Sequence, residues 1–168
     1  MNDPELYSRA SPFQIRDASQ VLGVYRKKMG GEVGDGTDTI LDIGCGTGDV
    51  TSGILAPAIG RFEMLLGVDK SRDMVGYAQQ HNSSDNIHYE VLDIAGDVEG
   101  FAADWGTFSR IFSFYCLHWV SDLKRALANV RRLLRPRGEC MLVFVGQCPV
   151  FEMYARMAEM PKWKDYMK

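Results

Sequence analysis

The chain has 168 residues, of which 46% are hydrophobic and 24% are charged. This length suits one domain with a two-sided core, and this composition excludes a disordered or fibrous protein. The formal net charge of -3 at pH 7 provides no overall cationic field, so we expect neither a nucleic-acid partner nor a membrane partner. A small-molecule partner is favoured.

The amino end and the cysteines indicate the compartment. Residues 1–5 are polar and acidic, unlike a signal peptide, and the sequence contains no apolar run long enough to cross a membrane. The four cysteines are Cys45, Cys116, Cys140 and Cys148, and none belongs to a Cys-x-x-Cys pair. We expect small buried thiols, no metal site, and a reducing, cytoplasmic compartment.

Helical periodicity begins near the amino end. Ser11-Pro12 predicts an N-cap followed by proline in the first turn. Apolar residues then recur at helical spacing, at Ala18, Val21, Leu22, Tyr25 and Met29. Residues 30–36 are rich in glycine and predict a loop. We expect a single domain over 1–168, in which residues 1–30 form a helical cap over the site and residues 38–168 form the core.

Five short apolar runs predict strands that are covered on both faces. They are residues 39–43, 62–68, 87–92, 108–114 and 140–145. The clearest helix between them begins near Ser121-Asp122 and ends before 135–138, and its apolar face holds Leu123, Ala126, Leu127, Val130, Leu133 and Leu134. Strands that alternate with helices predict an α/β fold, a Rossmann-like doubly wound and mostly parallel sheet. In such a sheet, ligands bind beyond the carboxyl ends of the strands.

A glycine motif follows the first predicted strand. It reads Asp42-Ile43-Gly44-Cys45-Gly46-Thr47-Gly48, and a helix is predicted from about Asp49. Glycines in this context allow a tight turn with positive φ angles and let a ligand approach the backbone closely. The alternative is a turn that merely favours glycine. The strand before the motif and the helix after it favour a cofactor loop.

Three acidic residues at strand ends bear on whether the cofactor is a dinucleotide or S-adenosylmethionine. Asp42 would repel the pyrophosphate of a dinucleotide, whereas the zwitterionic end and the sulfonium of S-adenosylmethionine are compatible with a carboxylate. Asp69 follows the second strand, where it could accept hydrogen bonds from both ribose hydroxyls, although a solvent-exposed residue capping the helix at Ser71 is an alternative. Asp93 could accept the adenine amine while Ile94 packs on the ring, although Asp93 could also be a surface residue.

With this order of motifs, the chain resembles class I S-adenosylmethionine-dependent methyltransferases, and within them the insect juvenile hormone acid methyltransferase family. The resemblance rests on residues 41–48, 91–94, 113–120 and 149–154, with Lys162-Trp163. It implies the class I methyltransferase fold and methyl transfer to the carboxylate of farnesoic acid or juvenile hormone acid. Family members continue beyond the length of this chain, so we expect the last two strands of the family's seven-stranded sheet to be missing.

The candidate site residues fall into two groups. Residues expected to bind S-adenosyl-L-methionine are Asp42, Gly44, Cys45, Gly46, Gly48, Asp69, Lys70, Asp93, Ile94 and Ser113. By the resemblance, Gln14 and Trp119 contact the acceptor carboxylate, with Tyr115 and His118 nearby. Such an acid is already ionised at neutral pH, so we expect no general base. Without the resemblance, a core tryptophan and a surface glutamine would be the favoured interpretation of Trp119 and Gln14.

Other functions stay open at this point. A methyltransferase could take a different acid or a phenol, and a chain without the last strands could bind the cofactor without turnover. A dehydrogenase is disfavoured by Asp42 and by the glycine spacing, which is Gly-x-Gly-x-Gly here and Gly-x-Gly-x-x-Gly in dinucleotide-binding proteins. We expect cofactor binding, little or no activity, and association through the open edge of the fifth strand. The sequence predicts no particular oligomeric state.

Overall fold

The computed structural model describes residues 3–28, 34–146 and 149–166. Its helices are α1 (Pro4–Ala10), α2 (Pro12–Lys28), α3 (Ala56–Ile59), α4 (Arg72–His81), α5 (Glu99–Trp105), α6 (Leu123–Leu133) and α7 (Pro149–Glu159). Its strands are β1 (Gly34–Asp35), β2 (Thr39–Ile43), β3 (Gly60–Arg61), β4 (Met64–Asp69), β5 (Ile87–Val91), β6 (Phe108–Phe114) and β7 (Leu134–Val143). A π-helical turn over Thr51–Leu55 continues into α3, and a short 3-10 turn over Leu117–Trp119 follows β6.

Five strands form a parallel sheet in the order β5-β4-β2-β6-β7, while β1 and β3 form a separate two-stranded ladder. The chain builds this sheet outward from β2 in one direction and then returns to add β6 and β7 on the other side. The switch point therefore lies between β2 and β6, where Ile43 pairs with Ser113. The expected Rossmann-like, doubly wound parallel sheet is confirmed.

The sheet is covered on both faces, as its continuous apolar strands predict. Side chains alternate along β2, so that Ile40 belongs to one apolar cluster and Leu41 to the other. The first cluster includes Leu22 of α2 and residues of α3 and α4; the second includes Val130 and other residues of α6, with α5 packed against it. Asp42 lies on the same face as Ile40 and is buried there.

The amino-terminal region holds a helix that the sequence analysis did not predict. Asp3 caps α1 by accepting a hydrogen bond from the backbone N–H of Leu6, and Pro4 occupies the first turn. The helix expected to start at Ser11-Pro12 does begin at Pro12, and the Ser11 carbonyl oxygen accepts a hydrogen bond from the Ile15 N–H, while the Ser11 hydroxyl donates to the Ser8 carbonyl oxygen. The following helix and the burial of Ala18 agree with the expected periodicity.

Strand β7 begins earlier than expected. The preceding helix ends at Leu133, before residues 135–138, as expected. Residues 135–138 belong to β7 and do not form a separate turn. Leu134 pairs with Phe108 and Glu139 pairs with Arg110, so the longer β7 segment bulges between these two pairs. Two expectations of burial are also wrong. Leu127 on α6 and Cys140 on β7, the edge strand of the described sheet, are exposed.

Some expectations lie outside the described residues, namely those on Met29, on residues 30–33 and on Cys148. No helix in the described ranges combines the length and apolar character needed to cross a membrane. The division into a helical cap and a core stays a prediction.

Candidate functional site

A cavity of about 530 Å³ opens at the carboxyl ends of β2, β4, β5 and β6. Eight of the predicted site residues line it: Gly44, Gly46, Asp69, Lys70, Asp93, Ile94, Tyr115 and Trp119. Its volume falls in the range of small-molecule sites, about 300 to 1,000 Å³. The switch-point position expected for a ligand and the predicted strand-end residues therefore coincide in one place.

The glycine turn after β2 needs its glycines for two reasons. Gly44 has a φ of +79°, and a Cβ atom on it would collide with the side chain of Cys116. Gly46 has a φ of +54°, and the ring of Tyr7 lies 3.3 Å from where its Cβ would be. The backbone of the turn is thus closely approached by Cys116, which follows β6, and by Tyr7 of α1, and both side chains also line the cavity.

Asp69 joins the turn to the end of β4. Its Oδ2 accepts a hydrogen bond from the Gly46 N–H at 3.1 Å, and its Oδ1 accepts one from the Ser71 N–H at 2.9 Å. A carboxylate has about four acceptor positions, so each oxygen can still accept a hydroxyl. Asp69 therefore shapes the loop and also keeps capacity for a ligand. Ser71, and not Asp69, is the N-cap of α4.

The Asp93-Ile94 segment forms a fixed turn after β5. The Asp93 carboxylate accepts a hydrogen bond from the Ala95 N–H at 2.9 Å. The Asn129 side-chain amide of α6 donates to the carbonyl oxygens of Ile94 and Gly96. This network places an exposed carboxylate beside a buried isoleucine on the cavity lining. Such a pair suits a flat ring that carries a hydrogen-bond donor at its edge.

Asp42 lies beneath the glycine turn and outside the main cavity. It is 2% exposed, and its Oδ2 accepts a hydrogen bond from the Thr51 hydroxyl at 2.6 Å. Burial is the main cause that raises the pKa of Asp42 to about 7; the Thr51 hydrogen bond opposes this shift and the Asp69 charge adds to it. Asp42 therefore carries less negative charge near neutral pH than an ordinary aspartate, and its expected repulsion of a pyrophosphate stays a prediction.

Three other residues from the predicted cofactor group, Cys45, Gly48 and Ser113, do not line the main cavity. Burial raises the pKa of the Cys45 thiol well above its usual value, so this thiol is unreactive. The Gly48 carbonyl oxygen accepts a hydrogen bond from the Tyr89 hydroxyl at 3.4 Å. The Ser113 hydroxyl donates to the Ile43 carbonyl oxygen at 2.8 Å, which ties β6 to β2. These residues support the turn.

The opposite side of the cavity comes from the segment after β6. Trp119 is 66% exposed at the cavity, and the His118 ring lies 5.0 Å from the Trp119 ring and 6.4 Å from the Tyr115 ring. Desolvation lowers the pKa of His118, so its imidazole is neutral at pH 7. Its Nδ1 is buried without a hydrogen-bond partner among the described residues.

Gln14 faces a second, smaller cavity of about 20 Å³, which is lined in part by Asp42, Ser11 and Thr47. Its Oε1 is buried and lacks a hydrogen-bond partner within the described part of the chain. Tyr7 and Gly44 line both cavities. The structure therefore brings Tyr115, His118 and Trp119 together, whereas Gln14 lines the smaller cavity that shares Tyr7 and Gly44 with the main one.

Sequence reasoning missed several residues that line the main cavity, among them Tyr7, Met74, Cys116, Ser121 and Asp122. Tyr7 belongs to the unpredicted helix α1, although Asp3-Pro4 carries the cap-and-proline signal that would have predicted it. Cys116 is next to Tyr115 in the sequence, and Ser121 and Asp122 follow closely after Trp119. Met74 lies on α4, the helix that follows Asp69 and Lys70. Within the described ranges, no cluster of three or more acidic, histidine or cysteine residues could hold a metal ion.

Comparisons with known proteins agree with this geometry. A family model described as a methyltransferase domain matches residues 40–138. Over the whole chain, the sequence is 37% identical to juvenile hormone acid O-methyltransferase of Drosophila melanogaster and 34% identical to that of Bombyx mori. The chain spans only 57% and 59% of the length of these two relatives, respectively.

A solved structure supports the fold. An S-adenosylmethionine-dependent methyltransferase from Anabaena variabilis superimposes with a TM-score of 0.64. The superposition covers 85% of this chain and 57% of the other, at 22% sequence identity. At this identity the likeness shows a shared fold and carries no argument about the acceptor.

Proposed function

The chain belongs to the methyltransferase-domain family, and we propose that within this family it methylates the carboxylate of a small sesquiterpenoid acid, such as farnesoic acid or juvenile hormone acid. The family and the fold imply an S-adenosylmethionine-dependent methyltransferase with S-adenosyl-L-methionine as its cofactor. One observation carries the proposal. A single cavity has the glycine turn and strand-end acids on one side and the Tyr115–Trp119 segment on the other.

The residues present fit this cofactor. Gly46 lines the cavity without a Cβ atom, and a ligand could approach its backbone closely once the Tyr7 ring that packs on it gives way. Asp69 has acceptor capacity left for ribose hydroxyls, and Asp93 with Ile94 would hold the adenine ring. Lys70 is exposed beside them on the cavity lining. When bound, S-adenosyl-L-methionine supplies an electrophilic methyl group on a sulfonium.

The acceptor would lie near Trp119. A carboxylic acid with a pKa of about 4 to 5 is ionised at neutral pH, so no residue has to remove a proton from it. The Trp119 indole N–H is a neutral donor that can orient a carboxylate without neutralising it. The Gln14 amide would be the second donor, provided that the Tyr7 side chain moves, because Tyr7 lines both cavities. Neutral His118 would contribute shape and not proton transfer.

The chemical contribution of the chain is therefore alignment. Holding a nucleophile in line with its target can lower a barrier by roughly 7 to 11 kcal/mol, because translational and rotational freedom is lost before the reaction. Tyr115 and Trp119 extend the apolar surface of the cavity towards the position of such an acceptor. Because the chain spans about three fifths of its curated relatives, turnover by these residues alone belongs to the proposal.

The experiment is an acceptor panel assayed by mass spectrometry with isotopically labelled cofactor. Farnesoic acid, juvenile hormone acid, a saturated fatty acid of similar length and a phenol are supplied separately. We expect the two sesquiterpenoid acids to give more labelled methylated product than the fatty acid or the phenol. Preferential methylation of the phenol or fatty acid would contradict the proposed acceptor, and cofactor binding without any product would indicate a cofactor-binding chain without turnover.

A further inference from the structure

The Tyr115 side chain is fixed by a residue that the site described above does not include. Its hydroxyl donates a hydrogen bond to Oδ2 of Asp17 at 2.6 Å. Asp17 lies on α2, 98 positions earlier in the sequence. A phenol has one hydrogen to donate, so Tyr115 cannot also donate to an acceptor carboxylate in this arrangement. Tyr115 therefore contributes its ring to the cavity.

Two neighbours complete this contact on α2. The Arg16 guanidinium donates to Oδ1 of Asp17 from Nε at 3.1 Å and from Nη2 at 3.0 Å, which leaves Oδ2 for Tyr115. Arg16 also lies over the Phe13 ring, 5.1 Å from its centroid. The Phe13 ring meets the Tyr115 ring edge-on with the centroids 5.6 Å apart. Tyr115 is thus held both by its hydroxyl and by its ring.

The backbone of Tyr115 explains why such contacts are needed. Its φ is +55°, which is unfavourable for any residue other than glycine, asparagine or aspartate. Tyr115 is the first residue after β6, and its N–H donates to the Val143 carbonyl oxygen at 2.8 Å. A left-handed residue here turns the chain into the segment that holds His118 and Trp119. Contacts that hold Tyr115 therefore also set the direction of that segment.

The charge of Asp17 is compatible with a nearby anion. The hydrogen bond from Tyr115, more than that from Arg16, holds the pKa of Asp17 below its usual value, so the carboxylate is ionised at neutral pH. Arg16 compensates this charge on the side away from Tyr115. A carboxylate can therefore lie behind the acceptor side of the cavity without an uncompensated negative charge facing the acceptor.

We propose that Asp17 is a positioning residue that acts through Tyr115, fixing the segment 115–120 against α2 and so setting the shape of the acceptor side of the cavity. The link to the acceptor rests on the proposed function; the link between Asp17 and segment 115–120 does not. Nothing in this role requires Asp17 to contact a ligand.

The first experiment needs no activity. Amide hydrogen exchange is measured over 12–28 and 115–120 in the wild-type chain, Asp17→Ala, Tyr115→Phe and the double variant. A lost hydrogen bond to a charged group predicts roughly tenfold faster exchange at the amides of Tyr115 and Trp119 in either single variant. The double variant should resemble the single variants, because both remove the same contact. Asp17→Asn, which keeps an oxygen acceptor, should restore part of the protection.

The control is Asp104→Ala, which removes an exposed carboxylate from α5 and should leave exchange at both segments unchanged. Wild-type exchange in Asp17→Ala, or additive effects in the double variant, would overturn the proposal. Should Asp17→Ala fail to fold, Asp17→Asn and Tyr115→Phe still give the comparison, and wild-type exchange in both would overturn it equally.

The second experiment addresses the acceptor. With S-adenosylhomocysteine bound, calorimetry with farnesoic acid should show roughly tenfold weaker binding in Asp17→Ala, while affinity for S-adenosylhomocysteine changes less than twofold. Unchanged farnesoic acid affinity together with faster exchange would overturn the link to the acceptor. Wild-type chain that binds no farnesoic acid would instead contradict the proposed function, and the exchange measurement would still decide the role of Asp17.

Discussion

Thr51 donates its hydroxyl hydrogen to the buried carboxyl of Asp42 over 2.6 Å, directly beneath the glycine turn. Thr51 begins the π-helical turn that follows this turn, so the wide helical turn places the hydroxyl against the strand. Without this hydrogen bond, the pKa of Asp42 would be raised still further by burial. The pair therefore couples a titratable group to the geometry of the cofactor turn.

Asp42→Asn should change how stability depends on pH. The folded-state pKa of Asp42, about 7, exceeds its ordinary value of 3.8, so the folded chain binds more protons than the unfolded chain between these values. Stability must therefore fall as pH rises through this window. Asparagine does not titrate and can still accept the Thr51 hydrogen bond, so the variant should lack this fall.

Thermal unfolding at pH 5 and pH 8 measures the effect. At pH 8 the variant should be more stable than the wild type by at least ~1 kcal/mol, or about 2 to 4 °C in Tm. Asp104→Asn, at an exposed position on α5, controls for the loss of any carboxylate. An Asp42→Asn chain with the same pH dependence as the wild type would show that Asp42 is charged in the folded state.

His118→Gln should leave the shape of the pH–rate profile unchanged. Desolvation lowers the pKa of His118, so the ring is neutral at pH 7, and an ionised acceptor requires no base. The profile of kcat/KM between about pH 6 and pH 8 is compared with that of His81→Gln, which changes an exposed histidine on α4. A bell-shaped profile that is centred at about pH 6.5 and disappears only in His118→Gln would identify His118 as a general base.

Trp119→Ala should reduce methyl-ester formation by roughly tenfold or more, because a hydrogen bond to a charged acceptor is lost. Affinity for S-adenosylhomocysteine should stay within twofold of the wild type. Trp119 is 66% exposed, so its removal leaves the core intact. The control is Trp163→Ala, which removes another tryptophan that is 37% exposed and should leave ester formation unchanged. Equal losses of product and of cofactor affinity would instead assign Trp119 to packing.

Gln14→Leu tests the acceptor candidate that lines the smaller cavity. If Gln14 orients the acceptor, ester formation should fall roughly tenfold while S-adenosylhomocysteine binds as in the wild type. Methylthioadenosine, which lacks the amino-acid end of the cofactor, provides the comparison. Weaker binding of S-adenosylhomocysteine with unchanged binding of methylthioadenosine would place Gln14 with Asp42 at the amino-acid end.

The parallel sheet and the strand-end residues could be predicted because they depend on local patterns. Apolar runs identify β2 and β6, and the glycines after β2 identify the turn. Asp69 and Asp93 then follow from the rule that ligands lie beyond the carboxyl ends of the strands. The structure places both on the cavity lining.

The remaining features depend on contacts between distant segments. The raised pKa of Asp42 results from burial under elements that the sequence pattern does not position in detail. The Asp17–Tyr115 hydrogen bond joins residues 98 positions apart, and neither has a local signal for the other. Tyr7 is different, because Asp3-Pro4 does signal α1, and only the place of that helix over Gly46 required the structure.

The main cavity should bind the nucleoside and the attached amino-acid end of S-adenosylmethionine through the strand-end acids. Calorimetry with S-adenosylhomocysteine on the wild type, Asp69→Ala, Asp69→Asn and the control Asp104→Ala tests it most directly. Asp69→Ala loses charge-assisted hydrogen bonds of about 1.5 to 3 kcal/mol together, so binding should weaken at least roughly tenfold, with an intermediate loss in Asp69→Asn. No binding by a folded wild-type chain, or equal affinity in the wild type and Asp69→Ala, would contradict the account.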